Sequence, residues 1–307
     1  MTIGPEHEAP RAGGEGAGDA VTVAFADDAA SLCGVARVGL AVHEGARVAS
    51  GLGVLFADGQ PVAVRAEGGV TPDGEDWSAV EAAGVHTEVL EPLRAWRVTF
   101  TDEEGRNGFD LRLRAVSEPA SLGADVPAGK LGGMEGYDQL VEVEGTLIVD
   151  GAERPFRGRG QRGHSWGAPD WDKLSMARTI GVWLSDATGV SITAVRPAKA
   201  SSHADEAIHA VLLAPADESS SEAVATVVDD PRLSTTYDGE GRQRSAGLEL
   251  YVHDDDNHAL RVAGEVACGT SLDLGRLTLD TAFFTWRMEG RTGVGRYDVL
   301  RRANGAA

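Results

Sequence analysis

Eleven residues near the middle of the chain, Gln161-Arg162-Gly163-His164-Ser165-Trp166-Gly167-Ala168-Pro169-Asp170-Trp171, gather a guanidinium, an imidazole, a hydroxyl, a carboxylate and two indoles. An imidazole titrates near neutrality and can give or take a proton there. Indole rings supply flat apolar surface with one polar tip, which suits a largely apolar pocket holding a few directed hydrogen bonds. The same residues also suit a structural corner, with Trp166 and Trp171 packing and Arg162 pairing internally. If the segment is a strand, Arg162, His164 and Trp166 share one face because side chains alternate. A cation, an imidazole and an indole then point into one space. His164 stands out as the functional candidate, and a pocket-lining group supports less packing than a core residue.

Other motifs carry less chemistry. Gly158, Gly160 and Gly163 match the GxGxxG string, but a dinucleotide site needs an apolar strand before it and a helix after it. Here Glu153-Arg154-Pro155-Phe156-Arg157 precedes the string, and Gly167 and Pro169 oppose a helix after it. His203, Asp205, Glu206 and His209 look metal-like yet lack HExxH spacing. His253-Asp254-Asp255-Asp256-Asn257-His258 lacks the glycine and terminal glutamate of a calcium loop, and reads as a hairpin turn. Neither a GxSxG elbow nor a phosphate-binding GxxxxGK[ST] loop occurs. No organic cofactor or metal is expected.

The elements that would position these groups are strands. Trp96, Val98 and Phe100 alternate with polar residues, as do Phe109, Leu111 and Leu113 after the turn residues 103–108. Leu248-Glu249-Leu250-Tyr251-Val252 and the run Leu277–Phe283 follow the same period of two. Asp58-Gly59, Asp73-Gly74, Asp150-Gly151 and Asp238-Gly239 are turn signals between such runs. Short strands at close spacing indicate a barrel or sandwich. One helix is expected, over residues 75–91, weakened by Gly84. Residues 1–20, rich in Gly, Ala, Pro and Glu, read as a disordered tail.

The 307 residues, 42% of them hydrophobic, suffice for two domains with a core each. A net charge of −20 repels phosphates, which disfavours nucleic acid and anionic membranes as partners. Two cysteines, Cys33 and Cys268, form no CxxC and no disulfide framework, which fits a cytoplasmic location. No basic-then-apolar leader opens the sequence and no apolar run is long enough to span a bilayer.

Gly160–Trp171 resembles the G-x-R-D-H-S-W-G-x-R-D-W signature of bacterial proteins related to carotenoid 1,2-hydratases (hydroxyneurosporene synthases) and AttH-type proteins. Tyr137-Asp138-Gln139, followed by Val143–Gly151, is similar to that family's Y-E-Q … G-x-l-x-v-d-G stretch. Pro92–Val98, Gly108–Leu111 and Gly290–Gly295 resemble further strands of it, so the likeness covers most of residues 30–300. The resemblance implies an all-β chain of two tandem lipocalin-like barrels, divided near residue 165 into 21–165 and 166–307. It also implies a hydrophobic cavity near their junction. Two positions depart from the signature: Gly163 replaces Asp, and Pro169 replaces Arg.

From this resemblance follows a cofactor-free hydratase or cyclase acting on a large apolar isoprenoid- or polyketide-like molecule. Protonating an alkene requires a neutral acid, which burial of a carboxyl group favours. Asp138 and Asp170 are the candidate acids and His164 the group that orients the acid or accepts a proton. Trp166, Trp171 and Tyr137 would stabilise a cation through their ring faces, and Arg162 and Gln139 complete the expected substrate contacts. Two other readings remain: a carrier of a lipophilic ligand, which needs no acid and suits Gly163, and an inert scaffold in which the motif is structural.

Overall fold

The computed structural model describes residues 1–11, 13–202, 205–215, 224–252 and 259–303. The His253–His258 stretch and His203 lie outside the described residues. The alternating runs form a first set of strands: β1 (Gly18–Ala26), β2 (Leu32–His43), β3 (Ala46–Ala57), β4 (Gln60–Val70), β5 (Glu81–Ala82), β6 (Val85–Glu91), β7 (Ala95–Thr101), β8 (Gly108–Ala115), β9 (Ala120–Leu122), β10 (Met134–Val149) and β11 (Ala152–Gly167). A second set follows: β12 (Leu174–Leu184), β13 (Gly189–Pro197), β14 (Ala207–Ala214), β15 (Val224–Val227), β16 (Asp230–Tyr237), β17 (Gln243–Tyr251), β18 (Ala259–Asp273), β19 (Leu277–Met288) and β20 (Arg291–Arg302).

The strands build two curled antiparallel sheets, consistent with two tandem lipocalin-like barrels. In the first the order is β4-β3-β2-β1-β11-β10-β8-β7-β6-β5, with β9 against β10. In the second it is β15-β14-β13-β12-β20-β19-β18-β17-β16. The division expected at residue 165 falls inside β11; the chain leaves the first sheet after Gly167 and joins the second at Leu174.

Local chemistry explains the hairpins. Asp58-Gly59 and Asp150-Gly151 both have positive φ at each residue, the geometry of a two-residue turn whose twist matches the strands it joins. Ala83-Gly84 does the same between β5 and β6. That hairpin replaces the helix expected over 75–91: Val85 and Thr87 alternate inward, and the left-handed pair at 83–84 reverses the chain where a helix would continue. Only one short turn of 3-10 helix, Trp77–Ala79, lies in that stretch. The first sheet curls until Gly51 of β3 meets the Ala82 carbonyl so closely that a Cβ there would overlap it.

Among the described residues, part of the stretch expected as a disordered tail, 1–20, packs on the barrel. Pro5–Glu8 forms a short 3-10 helix, Glu8 is buried, and β1 begins at Gly18. Composition signals disorder only where no distant partner exists, and Glu8 has one in Arg162.

Three apolar clusters hold the molecule. One fills the first barrel, with Val21, Val23, Phe25, Trp96, Phe100 and Leu111 among its members. Another fills the second, around Ile180, Leu250, Phe284, Trp286 and Tyr297. The third lies between the sheets, where Ala24, Val54, Phe56 and Leu140 pack on Trp183, Leu213 and Phe283. β19 consequently buries both faces from Asp280 to Phe284, which obscures the simple alternation expected for it. Among the described residues no helix is long and apolar enough to cross a membrane.

Candidate functional site

β11 is the central strand of the first sheet, paired with β1 on one side and β10 on the other. Arg162, His164 and Trp166 alternate along it and meet in the interior of the first barrel, as the spacing predicts. His164 sits opposite Val21 and Tyr137, Arg162 opposite Val23 and Gln139, and Trp166 opposite Asp19 and Glu135. The GxGxxG glycines lie within this same strand, with no helix after them.

His164 is fully buried (0% exposed) and its Nε2 lies 2.6 Å from Asp19 Oδ1. The other Asp19 oxygen accepts the Arg11 backbone N–H at 2.6 Å. Nδ1 of His164 is buried with no hydrogen-bond partner. Rings of Trp77, Trp166 and Tyr137 surround the imidazole edge to face, with centroids 5.5, 5.3 and 5.9 Å away. A carboxylate that holds one ring nitrogen fixes the imidazole's orientation and leaves the second nitrogen as the one free to exchange protons.

Arg162 makes the second half of the site. Its Nη2 lies 2.5 Å from Glu8 Oε2, and its Nη1 donates to Glu8 Oε1 at 3.2 Å and to the Tyr137 hydroxyl at 2.6 Å. Glu8 Oε1 also accepts from Trp96 Nε1 at 3.2 Å and from the Leu93 N–H at 3.0 Å. The guanidinium lies over the Trp96 ring, 4.8 Å from its centroid. A buried charge is tolerable only when paired and hydrogen-bonded, and both members of this pair are. Burial pushes the Tyr137 phenol well above its ordinary range, against the opposing pull of Arg162, so it remains a neutral hydroxyl. Arg11 stacks on Trp166, with Cζ 3.5 Å from the ring centroid, and closes this side of the barrel.

The remaining expected residues do not join them. Asp138 lies between Tyr137 and Gln139 on β10, so alternation turns it to the opposite face, where Ser191 Oγ of β13 donates to it at 2.8 Å. Asp170 is exposed, and Lys173 Nζ, 2.8 Å away, holds its carboxyl below the ordinary carboxylate range. It is an ionised surface group, not the neutral buried acid that the resemblance implies. Trp171 is half-buried on the connection between the sheets. Gln139 faces the interior, but its amide N–H groups brace the Leu93 and Ser117 carbonyls, at 3.2 and 3.1 Å. Of the metal-like cluster, Asp205 accepts from Ser201 and Ser202, and His209 Nε2 lies 2.9 Å from the Ser121 carbonyl.

The departure at Gly163 has a local explanation. A Cβ at that position would overlap Asp138 Oδ1. A carboxylate therefore does stand beside position 163, supplied by β10 rather than by β11 itself.

Glu8, Asp19, Trp77 and Arg11 were not expected from the sequence. Asp19 carries a signal: it falls in phase with Val21, Val23 and Phe25, a charge on the apolar face of its strand. The second barrel holds a cluster of similar composition, in which Arg178 pairs with Glu206 and donates to Tyr297 and Thr235 hydroxyls at 3.1 and 3.0 Å. Near the junction of the sheets lies a groove of about 800 Å³, lined by Leu140, Val143 and Trp183 and rimmed by Arg112, Arg114 and Glu142. None of the expected site residues lines it.

The comparisons agree with this architecture. A family model described as a domain of unknown function, DUF7064, matches residues 4–303. No curated protein matches the sequence. Among solved structures, an AttH-like protein from Nitrosomonas europaea has a TM-score of 0.64 at 12% identity, over 94% of this chain and 93% of that one. Kievitone hydratase from Nectria haematococca has a TM-score of 0.63 at 10% identity, over 97% and 93%. CghA, in its structure with Sch210972, has a TM-score of 0.61 at 12% identity, over 94% and 89%. At these identities the likeness establishes a shared fold.

Proposed function

We propose that this chain, which belongs to the DUF7064 family, is a cofactor-free acid–base enzyme of hydratase or cyclase type, acting on a hydrophobic small molecule inside its first barrel. The observation that carries the reading is the buried His164–Asp19 pair, whose Nδ1 is left without a partner among Trp77, Trp166 and Tyr137. With Nε2 held by Asp19, the imidazolium form delivers a proton from Nδ1 and the neutral form recovers one. Aromatic faces stabilise a developing cation. Arg162 and the neutral Tyr137 hydroxyl orient polar parts of the substrate. This arrangement moves the acid–base role from Asp170 and Asp138 to the His164–Asp19 pair. Kievitone hydratase, whose name states a hydration, has the same fold and supports this reaction class. An isoprenoid- or polyketide-like substrate is the finer expectation.

A carrier without chemistry is the second reading, favoured by the ionised, exposed state of Asp170. Incubation with a lipid extract, followed by mass spectrometry of bound and released molecules, separates the two. Gain of one water or a change of isomer, lost in His164→Ala and in Asp19→Asn, supports the enzyme. A retained, unchanged ligand supports the carrier and overturns the catalytic reading.

A further inference from the structure

The carboxylate of Glu8 sits in a pocket of donors that belongs entirely to the first barrel. Arg162 approaches it with two nitrogens, and the Trp96 indole and the Leu93 N–H complete the set. Arg162 is 1% exposed and is fixed on the central strand β11. Glu8, by contrast, is carried on the four-residue 3-10 helix Pro5–Glu8, which belongs to neither sheet. Polar links from residues 5–11 to the barrel include the Glu8 carboxylate, the Trp77 indole on the Glu8 carbonyl, and Arg11 on Asp19. The cation is part of the frame, and the anion is carried on a segment outside both sheets.

Beside them, buried polar atoms without a hydrogen-bond partner include His164 Nδ1, Arg162 Nε, Arg11 Nε and Gln139 Oε1. Native interiors rarely leave such atoms unpaired, and each that occurs asks for a missing ligand or water. The walls around them are Trp77, Trp96, Trp166 and Tyr137, which favour apolar or aromatic carbon. The second barrel offers a contrast. There the carboxylate that meets Arg178 comes from Glu206, directly before Ala207, where β14 begins, and so is anchored to the ladder.

We propose that the interior of the first barrel is a binding site for an apolar carboxylate, with Glu8 occupying the place of the ligand's own carboxylate until it is displaced. The ligand's head group would take the Arg162, Trp96 and Leu93 donors. Its apolar body would replace the 5–11 segment against Trp77 and Trp166. The proposal rests on the reading that this interior is the site, and is independent of catalysis there.

Dodecanoate is the probe and dodecanol its uncharged control, each titrated by calorimetry against the full chain, Glu8→Ala, Glu8→Gln and Glu206→Ala. Both Glu8 variants should bind dodecanoate about tenfold or more tightly than the unsubstituted chain, a difference that calorimetry resolves readily. Dodecanol affinity should change less than about threefold, because its hydroxyl carries no negative charge to pair with Arg162. Glu206→Ala should show no gain. Folded Glu8 variants that gain nothing would overturn the proposal, as would an equal gain for dodecanol or in Glu206→Ala. If both Glu8 variants lose their β circular-dichroism spectrum, recovery of that spectrum with dodecanoate supports the proposal and failure to recover overturns it. Dodecanoate has no alkene to protonate, so its binding without turnover leaves this inference standing even where the lipid-extract experiment defeats the catalytic one.

Discussion

Removing His164 and removing Asp19 have different physical consequences, although the two touch. His164→Ala leaves the buried Asp19 carboxylate without its ring-nitrogen partner, with only the Arg11 N–H still bound to it. Leaving a buried polar group short of a hydrogen-bond partner costs about 1–3 kcal/mol, so the variant should show a clearly lower urea midpoint. That revises the expectation that a pocket-lining His164 supports little of the fold. Asp19→Asn keeps a hydrogen-bonding group beside the imidazole but removes its charge, and should lose turnover with a smaller fall in the midpoint. Gly163 and Asp138 form a second coupled pair, facing the other way. Gly163→Asp should destabilise by about 1–3 kcal/mol through overpacking, because its Cβ meets the Asp138 carboxylate. Adding Asp138→Gly should recover most of that loss. A double-mutant cycle by denaturation measures it, and additive effects would contradict the shared space.

At the scale of single elements, the hairpin joining β7 to β8 shows how one side chain sets a turn. Asp102 accepts the Arg106 N–H at 2.9 Å and the Asn107 side-chain amide at 2.8 Å. Partial burial works to raise its pKa, but the hydrogen bonds from Asn107 and from the Arg106 and Gly105 N–H groups outweigh it and leave it below the ordinary value. A depressed folded-state pKa contributes stability above the unfolded value, near 3.9, and that contribution is lost as pH falls through the folded value. Asp102→Ala should therefore lower the melting temperature at pH 7, by the equivalent of about 0.5 kcal/mol after allowance for solvent screening. The difference between variant and parent should shrink steadily as pH falls below 4. Strands and turns of this kind were legible in the sequence because both signals are local: Trp96, Val98 and Phe100 all face the core, and Asp58-Gly59 and Asp150-Gly151 make the tight turns expected of them. The shared face of Arg162, His164 and Trp166 was legible for the same reason. Their partners were not, since Glu8 lies 154 residues from Arg162 and Asp19 lies 145 from His164. Alternation also places Asp138 opposite in facing to Tyr137, a consequence available from the sequence once 134–149 is taken as one strand.

For the whole molecule, the layer between the sheets packs the two barrels against each other. Cys33 and Cys268, distant in sequence, both lie buried in that layer. The Cys268 thiol and burial together push the Cys33 thiol far up, the contact with Cys33 lowers the Cys268 thiol, and burial keeps both sulfurs from solvent. Both should react with an aromatic disulfide reagent only at the rate of unfolding, and together; two well-separated rates would show that one half opens without the other. β11 connects this layer to the site directly. Gln161, neighbour of Arg162, points the other way and accepts the Trp183 indole N–H of β12 at 3.3 Å. Adjacent residues of one strand thus belong to different cores, which makes reading frame along β11 a structural quantity. Deleting one residue between Arg157 and Gln161 moves the strand by one position and exchanges its faces, aiming Arg162 at Trp183 and leaving Gly163 in the place that faces Glu8. Both cores then hold the wrong side chains at once. A deletion scan should find β11 intolerant throughout, while single insertions at Ala168 to Lys173, where the chain crosses between sheets, leave soluble protein.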